Sequence, residues 1–157
     1  MTYPQLALHV AGQWLTQASG GERAVINPAD ESVLGMLPLA GQAELAAAAE
    51  SAARGFKQWR RLSALERFTI LRRASDLMRS RAKQIAAVLT LEQGKPQAEA
   101  LREVTLSADI LDVQAEEGKR LYGRTVAPRV EGILSQTVLR QPVGPVAAFT
   151  PWNFPVN

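Results

Sequence analysis

The chain has 157 residues, of which 46% are apolar and 21% charged, a balance typical of a globular domain with a buried core. It contains no cysteine and one histidine, His9, which excludes disulfides, thiolate metal sites and cysteine nucleophiles within these residues and predicts no metal centre. No apolar run approaches the roughly 20 residues of a membrane-spanning helix, and Met1–Gln5 lacks the segments of a secretory signal, so a cytoplasmic protein without membrane contact is expected.

The first forty residues read as short strands and turns. Leu6, Leu8 and Val10 alternate with Ala7 and His9, the period of a strand with one buried face. The chain can return through Gln13–Leu15, and in the intervening turn we expect Gly12 alone to take a positive φ. Two further short strands are predicted, at 25–26 and 32–34.

From Gly41 the apolar spacing becomes helical and predicts three long helices. The first has a single apolar face, formed by Leu45, Ala49, Ala52, Phe56 and Trp59. The second begins at a capping box, Ser63 with Glu66, and ends at Gly94. Pro96 can open the third helix, which continues to Gly118.

Basic residues concentrate between Arg54 and Lys83 and, with a net charge of +3, raise the question of nucleic acid binding. No aromatic platform or known DNA-reading motif accompanies them. We interpret these basic residues as lying on the solvated faces of long helices and expect no nucleic acid partner.

The last part of the chain returns to β structure. Residues 133–140 alternate weakly and predict an exposed or edge strand. After a rigid break at Gln141–Pro145, the wholly apolar run Val146–Phe149 is typical of a strand buried on both faces of a parallel sheet. Together with the long helices, this strand predicts an α/β fold.

Immediately after that strand, Thr150–Pro155 is the one segment that reads as a site. Open α/β sheets place their ligands beyond the carboxyl ends of their strands. Two prolines fix the backbone around Asn153, and a rigidly held side-chain amide suits an oxyanion hole. The alternative interpretation of the residues alone is a turn asparagine that caps a following helix.

The sequence Pro142–Pro155 resembles the segment that leads into the active site of the aldehyde dehydrogenase superfamily. The resemblance continues, in the expected order, over most of the chain. Its other motifs are Val10–Trp14, Ile26–Ala29, Leu91–Pro96 and Ala115–Arg120. The run Glu116–Gly123 is most similar to that of succinate-semialdehyde dehydrogenases.

This resemblance implies a role for each residue of the site. Asn153 corresponds to the asparagine that stabilises the oxyanion when a cysteine thiolate attacks the aldehyde, on the way to a thiohemiacetal and then a thioester. Phe154 corresponds to an aromatic wall of the aldehyde tunnel, with ordinary packing as the alternative. The residues implied to line the cofactor, NAD or NADP, near its ribose and nicotinamide are Phe149, Thr150, Pro151 and Trp152.

The implied fold is the N-terminal part of the aldehyde dehydrogenase fold. Residues 1–124 would belong to the cofactor-binding domain and residues 125–142 to a β-extension for oligomerisation. Residues 143–157 would hold the first strand of a Rossmann-like sheet and the start of the active-site segment. Strand 133–140 would join the subunits of a homo-oligomer.

The sequence departs from the family in what it lacks. The nucleophilic cysteine, the glutamate that activates water and the glycine-rich turn beside the cofactor would all lie downstream, so the 157 residues alone are expected to be inactive. Two alternatives stay open at this point: a non-catalytic helical scaffold or interaction module derived from the family, and a relative that passes the acyl group to coenzyme A.

Overall fold

In a computed structural model that describes residues 3–157, the chain forms three separate two-stranded antiparallel sheets and four α-helices. The strands are β1 (Leu8–Val10), β2 (Gln13–Leu15), β3 (Glu22–Ile26), β4 (Val33–Pro38), β5 (Arg124–Val126) and β6 (Gln136–Val138). The helices are α1 (Gln42–Trp59), α2 (Ala64–Ser80), α3 (Ala82–Gln93) and α4 (Gln97–Glu117), with a 3₁₀ turn at Gly118–Arg120. No helix in the described part of the chain is long and apolar enough to cross a membrane.

The two predicted hairpin regions form in the structure. β1 pairs with β2 through a two-residue turn in which Ala11 and Gly12 both have positive φ, 52° and 85°. The expectation that Gly12 alone would take this conformation was wrong, because a two-residue hairpin loop of this kind needs positive φ at both positions. β3 pairs with β4 in longer strands than the sequence predicted.

The helical region holds four helices where three were predicted. The chain leaves the helix at Arg81, whose ψ is 7°, so the second predicted helix divides into α2 and α3. Ser63 and Glu66 form the predicted capping box at the start of α2. In residues 3–157, the predicted apolar face of α1 contains no fully buried residue, and Leu45 on that face is exposed.

The core lies between α3 and α4 and is built largely from small side chains. Its alanines let the two helix backbones approach closely, while Leu89 and Val104 fill the space between them. The fully buried residues of this cluster are Ala86, Ala100 and Val104. Val156, near the end of the chain, packs against it. The C-terminal segment is therefore attached to the helical core.

The junction between α3 and α4 is a tight turn. Gly94 ends α3 with φ 76° and donates its backbone N–H to Thr90 O over 2.9 Å. Pro96 then precedes α4, as the sequence predicted. Lys95 thus lies between the two helix ends.

The C-terminal part differs most from prediction. Of the predicted strand 133–140, only Gln136–Val138 pairs, with Arg124–Val126. The buried strand predicted at Val146–Phe149 is not formed: these residues belong to no strand, and Phe149 is 95% exposed. A strand is held by hydrogen bonds to a neighbour, and no strand in residues 3–157 lies beside this run.

Candidate active-site segment

Residues 150–155 lie against the α3–α4 junction, although residues 139–149, just before them, form no strand. Trp152 and Asn153 form a turn. Three side chains from the junction reach the backbone of this turn or of the residues just after it. They belong to Gln93, Lys95 and Glu103.

Lys95 makes the central contacts. Its ammonium group donates to the main-chain oxygen of Asn153 over 3.0 Å and forms an ion pair with Glu103 Oε2. The same nitrogen lies 4.3 Å from the centroid of the Phe154 ring, a favourable cation–π distance. One cation therefore contacts the backbone of one site residue and the ring of the next.

Glu103 provides the second attachment from inside the protein. It is a buried residue of α4. While Oε2 contacts Lys95, Oε1 accepts a hydrogen bond from the backbone N–H of Val156 over 3.0 Å. Both carboxylate oxygens are thus used, as the burial of a charged group requires.

Gln93 adds a third contact. Its Nε2 donates to the main-chain oxygen of Trp152 over 3.1 Å. Its Oε1 is buried without a hydrogen-bond partner among the described residues, and so is Thr90 Oγ1 one turn earlier on α3. The end of α3 therefore retains an acceptor beside the site.

The side chain of Asn153 behaves differently from its backbone. The residue is exposed, and within residues 3–157 no hydrogen bond involves its side-chain amide. Its two N–H donors are therefore available to a ligand.

Phe154 and Asn157 border a cleft of about 380 Å³ beside α4. The other lining residues of this cleft are Lys95, Glu99, Arg102, Glu103 and Leu106.

The four residues expected to line the cofactor, Phe149–Trp152, are exposed and contiguous. Phe149 and Trp152 leave 95% and 78% of their surface open, so both can pack against a planar ring. None of the four carries a positive charge that could pair with phosphate. Their rings and uncharged surface suit contact with a planar ring better than contact with a phosphate group.

Sequence reasoning missed Gln93, Lys95 and Glu103. One signal was available for Glu103, since it lies one turn after Ala100 and one turn before Ser107, and both of these are buried. An acidic residue on the buried face of a helix predicts a buried partner. No group of three or more potential metal ligands occurs in residues 3–157.

The comparisons with known proteins agree on one family. A model of the aldehyde dehydrogenase family matches residues 14–157. The NADP(+)-dependent succinate-semialdehyde dehydrogenase of Escherichia coli is 44% identical over 93% of this chain and 30% of its own length. The glutarate-semialdehyde dehydrogenase of Pseudomonas putida is 42% identical over 94% of this chain and 30% of its own.

Solved structures show the same relationship in three dimensions. An E. coli NADP-dependent enzyme superposes with a TM-score of 0.91 at 43% identity, covering 99% of this chain and 32% of its own. The NADP-dependent glyceraldehyde-3-phosphate dehydrogenase of Bacillus halodurans, solved with NADP, gives 0.90 at 30% identity, with 98% and 33% covered. The α/β fold class predicted from sequence is confirmed, and the chain spans about a third of these proteins.

Proposed function

Because the chain belongs to the aldehyde dehydrogenase family, we propose that it supplies the oxyanion donor of an NAD(P)-dependent enzyme that oxidises an aldehyde to a carboxylic acid. The observation that supports this most directly is the contrast at Asn153. Its backbone oxygen is held by Lys95, while its side-chain amide is exposed and has no protein partner in residues 3–157. A fixed backbone with a free donor is the arrangement that oxyanion stabilisation needs.

In the proposed reaction a thiolate adds to the aldehyde carbon, and the carbonyl oxygen becomes negatively charged. The Asn153 amide donates a hydrogen bond to that oxygen. After hydride leaves the carbon, water hydrolyses the thioester to the acid and releases the thiol. The 157 residues contain no cysteine, so the thiol must come from outside them.

NAD or NADP, when bound, would accept the hydride. Phe149–Trp152 would form an apolar wall beside its nicotinamide and ribose, which suits their exposed and uncharged side chains. The choice between the two cofactors depends on groups around the adenosine ribose that these four residues do not reach.

The proposed substrate is a short aldehyde with a carboxylate at its other end, as the names of the succinate- and glutarate-semialdehyde relatives indicate. Phe154, which is 49% exposed at the edge of the cleft, would contact the carbon chain. Transfer of the acyl group to coenzyme A is the related alternative, and it differs only in that coenzyme A instead of water accepts the acyl group from the thioester and releases the thiol.

The proposal includes a cytoplasmic homo-oligomer. Within residues 3–157, β5 and β6 pair only with each other, and all six of their residues are exposed. Each strand therefore has an outer edge open to another strand. In this proposal residues 125–142 form the oligomerisation extension, between a cofactor-domain part at 1–124 and the active-site segment at 143–157.

The first test is the intact mass of the protein at its natural length, followed by an assay of NADH or NADPH formation with succinic semialdehyde. A mass well above 17.0 kDa, with activity that Asn153→Ala lowers by about 10²–10³-fold, supports the proposal. A mass of 17.0 kDa without activity would favour the non-catalytic module. Acyl-coenzyme A formation would identify the coenzyme A alternative.

A further inference from the structure

A buried ion pair connects the helical core to the backbone on both sides of Phe154. The side chains of Lys95 and Glu103 are only 12% and 3% exposed. Apolar residues of similar size often stabilise a fold as well as a buried ion pair, or better. Stability is therefore a weak explanation for the pair, and its contacts point to a different role.

Every polar group of the pair is used. The Lys95 ammonium contacts Glu103, donates to Asn153 O and lies over the Phe154 ring. The remaining Glu103 oxygen accepts from the Val156 N–H. The carbonyl of residue 153 and the N–H of residue 156 are thus held by one ion pair, which fixes both ends of the segment from Asn153 to Val156.

We propose that Lys95 and Glu103 form a positioning pair that fixes the backbone of residues 153–156 and thereby sets the direction of the Asn153 amide. This inference rests on the proposed function, because it takes Asn153 as the oxyanion donor. Neither member of the pair contacts the reacting atoms. They act through the backbone of Asn153 and through the ring of Phe154.

The physical reason is preorganisation. A donor stabilises a developing oxyanion best when it is already in place and needs no rearrangement during the reaction. The Asn153 side chain has only two rotatable bonds, so its amide stays within a small volume once the backbone is fixed. If the backbone moves, the donor loses its distance to the oxyanion even though the residue itself is unchanged.

The test separates positioning from stability by replacing the whole pair. In the protein at its natural length, Lys95→Met combined with Glu103→Leu removes both charges and leaves no unpaired ion in the core. We expect the free energy of unfolding to change little. Hydrogen exchange at the Val156 amide should nevertheless accelerate by roughly tenfold to a hundredfold, because its charged acceptor is gone.

The chain offers a control pair of the same chemistry, with side chains 32% and 40% exposed. Lys119 contacts Glu116 over 2.9 Å and lies 3.9 Å from the Phe68 ring centroid, so it also combines an ion pair with a cation–π contact. Lys119→Met with Glu116→Leu should leave exchange in residues 150–157 unchanged. If leucine at position 103 prevents folding, Lys95→Met with Glu103→Met keeps a side chain of similar length without an oxygen acceptor and is expected to loosen the same segment.

Kinetics then connects the pair to Asn153. We expect the Lys95→Met/Glu103→Leu variant to lower kcat by roughly tenfold to a hundredfold, with a smaller change in KM. If the pair acts through Asn153, adding Asn153→Ala to this variant should lower kcat by a much smaller factor than the same substitution does in the wild type.

Two results would overturn the positioning role. One is unchanged exchange at Val156 in every paired variant that folds. The other is faster exchange with kcat unaltered, or with the Asn153→Ala effect undiminished. Hydrogen exchange is measured without substrate, so it does not depend on catalytic activity. A wild-type protein that oxidises no aldehyde would contradict the proposed function. Faster exchange at Val156 in its paired variants would still demonstrate that Lys95 and Glu103 attach the segment.

Discussion

The hydroxyl group of Ser75 on α2 donates a hydrogen bond to Asp112 Oδ1 on α4, and Ser75 is completely buried. The other oxygen of Asp112 lies 2.6 Å from Arg79 Nη2 and 3.0 Å from Arg72 Nη1. The Ser75 hydrogen bond and these guanidinium groups lower the pKa of Asp112 below its ordinary value. Part of the basic surface of α2 is therefore neutralised by α4, which attaches the two helices to each other.

We predict that Ser75→Ala destabilises the protein by about 1–2 kcal/mol, because it removes a buried donor to a charged acceptor. Urea unfolding monitored by circular dichroism measures the effect. Ser80→Ala on the same helix is the control, since that exposed hydroxyl donates only to Leu77 O of its own helix. A loss at position 75 no larger than the loss at position 80 would contradict the role of the Ser75–Asp112 bond.

A second prediction concerns acid. Glu44, in the first turn of α1, accepts hydrogen bonds from Ser19 Oγ, Ser19 N–H and Gly41 N–H over 2.5, 3.1 and 2.8 Å. The Ser19 hydroxyl bond, followed by the two backbone bonds, lowers the pKa of Glu44 from 4.5 to about 2. These bonds attach the segment before β3 to the start of α1.

The direction of this pKa shift determines how the stability of the protein depends on pH. Because the folded-state pKa lies below the unfolded value, the stabilisation is complete above pH 4.5 and is lost as the pH falls towards 2. We expect Glu44→Gln to be less stable than wild type at pH 6, with the difference vanishing near pH 2. Thermal unfolding across this range measures it. Glu50→Gln, at an exposed position of the same helix, serves as the control, and a loss of stability at pH 6 as large as that of Glu44→Gln would contradict the role of these hydrogen bonds.

A third prediction compares two glycines. Gly94→Ala should destabilise the protein by at least about 1–2 kcal/mol, the cost of a left-handed non-glycine residue. The φ there is 76°, and a β-carbon would lie 2.9 Å from Pro28 Cγ. Gly55→Ala in α1 should instead stabilise by roughly 0.5–1 kcal/mol, since a β-carbon there contacts nothing within 4 Å. Equal effects in chemical denaturation would disprove the assignment of Gly94 as a conformationally required cap.

Local signals explain what the sequence could predict. The capping box of Ser63 and Glu66, the cap at Gly94 and the turn at Ala11–Gly12 all depend on residues a few positions apart. Such features follow from backbone geometry and are visible in a single sequence. The two prolines near Asn153 are equally local, but the turn formed by Trp152 and Asn153 was the alternative interpretation of these residues and not the expected one.

The features that could not be predicted from the sequence depend on contacts between residues far apart in the chain. Lys95 meets Asn153 across 58 positions, and Glu103 meets Val156 across 53. No local pattern encodes either meeting. The break at Arg81 was also hidden, because the apolar spacing of α2 continues into α3. The strand expected at Val146–Phe149 depends on neighbouring strands that residues 3–157 do not supply.

The final prediction tests the donor itself. In the protein at its natural length, Asn153→Ala should lower kcat for aldehyde oxidation by about 10²–10³-fold, the usual loss when one oxyanion donor is removed. Asn153→Asp should be at least as harmful, because a carboxylate has the same size but repels the developing negative charge. Neither change should alter thermal stability much, since the side chain is exposed and makes no hydrogen bond within residues 3–157. Gln93→Met, which removes only the bond to Trp152 O, should cost less than either substitution. If Asn153→Ala retained nearly full kcat, the oxyanion donor would have to be a different group, and the backbone contacts of Lys95 and Glu103 would then serve packing alone.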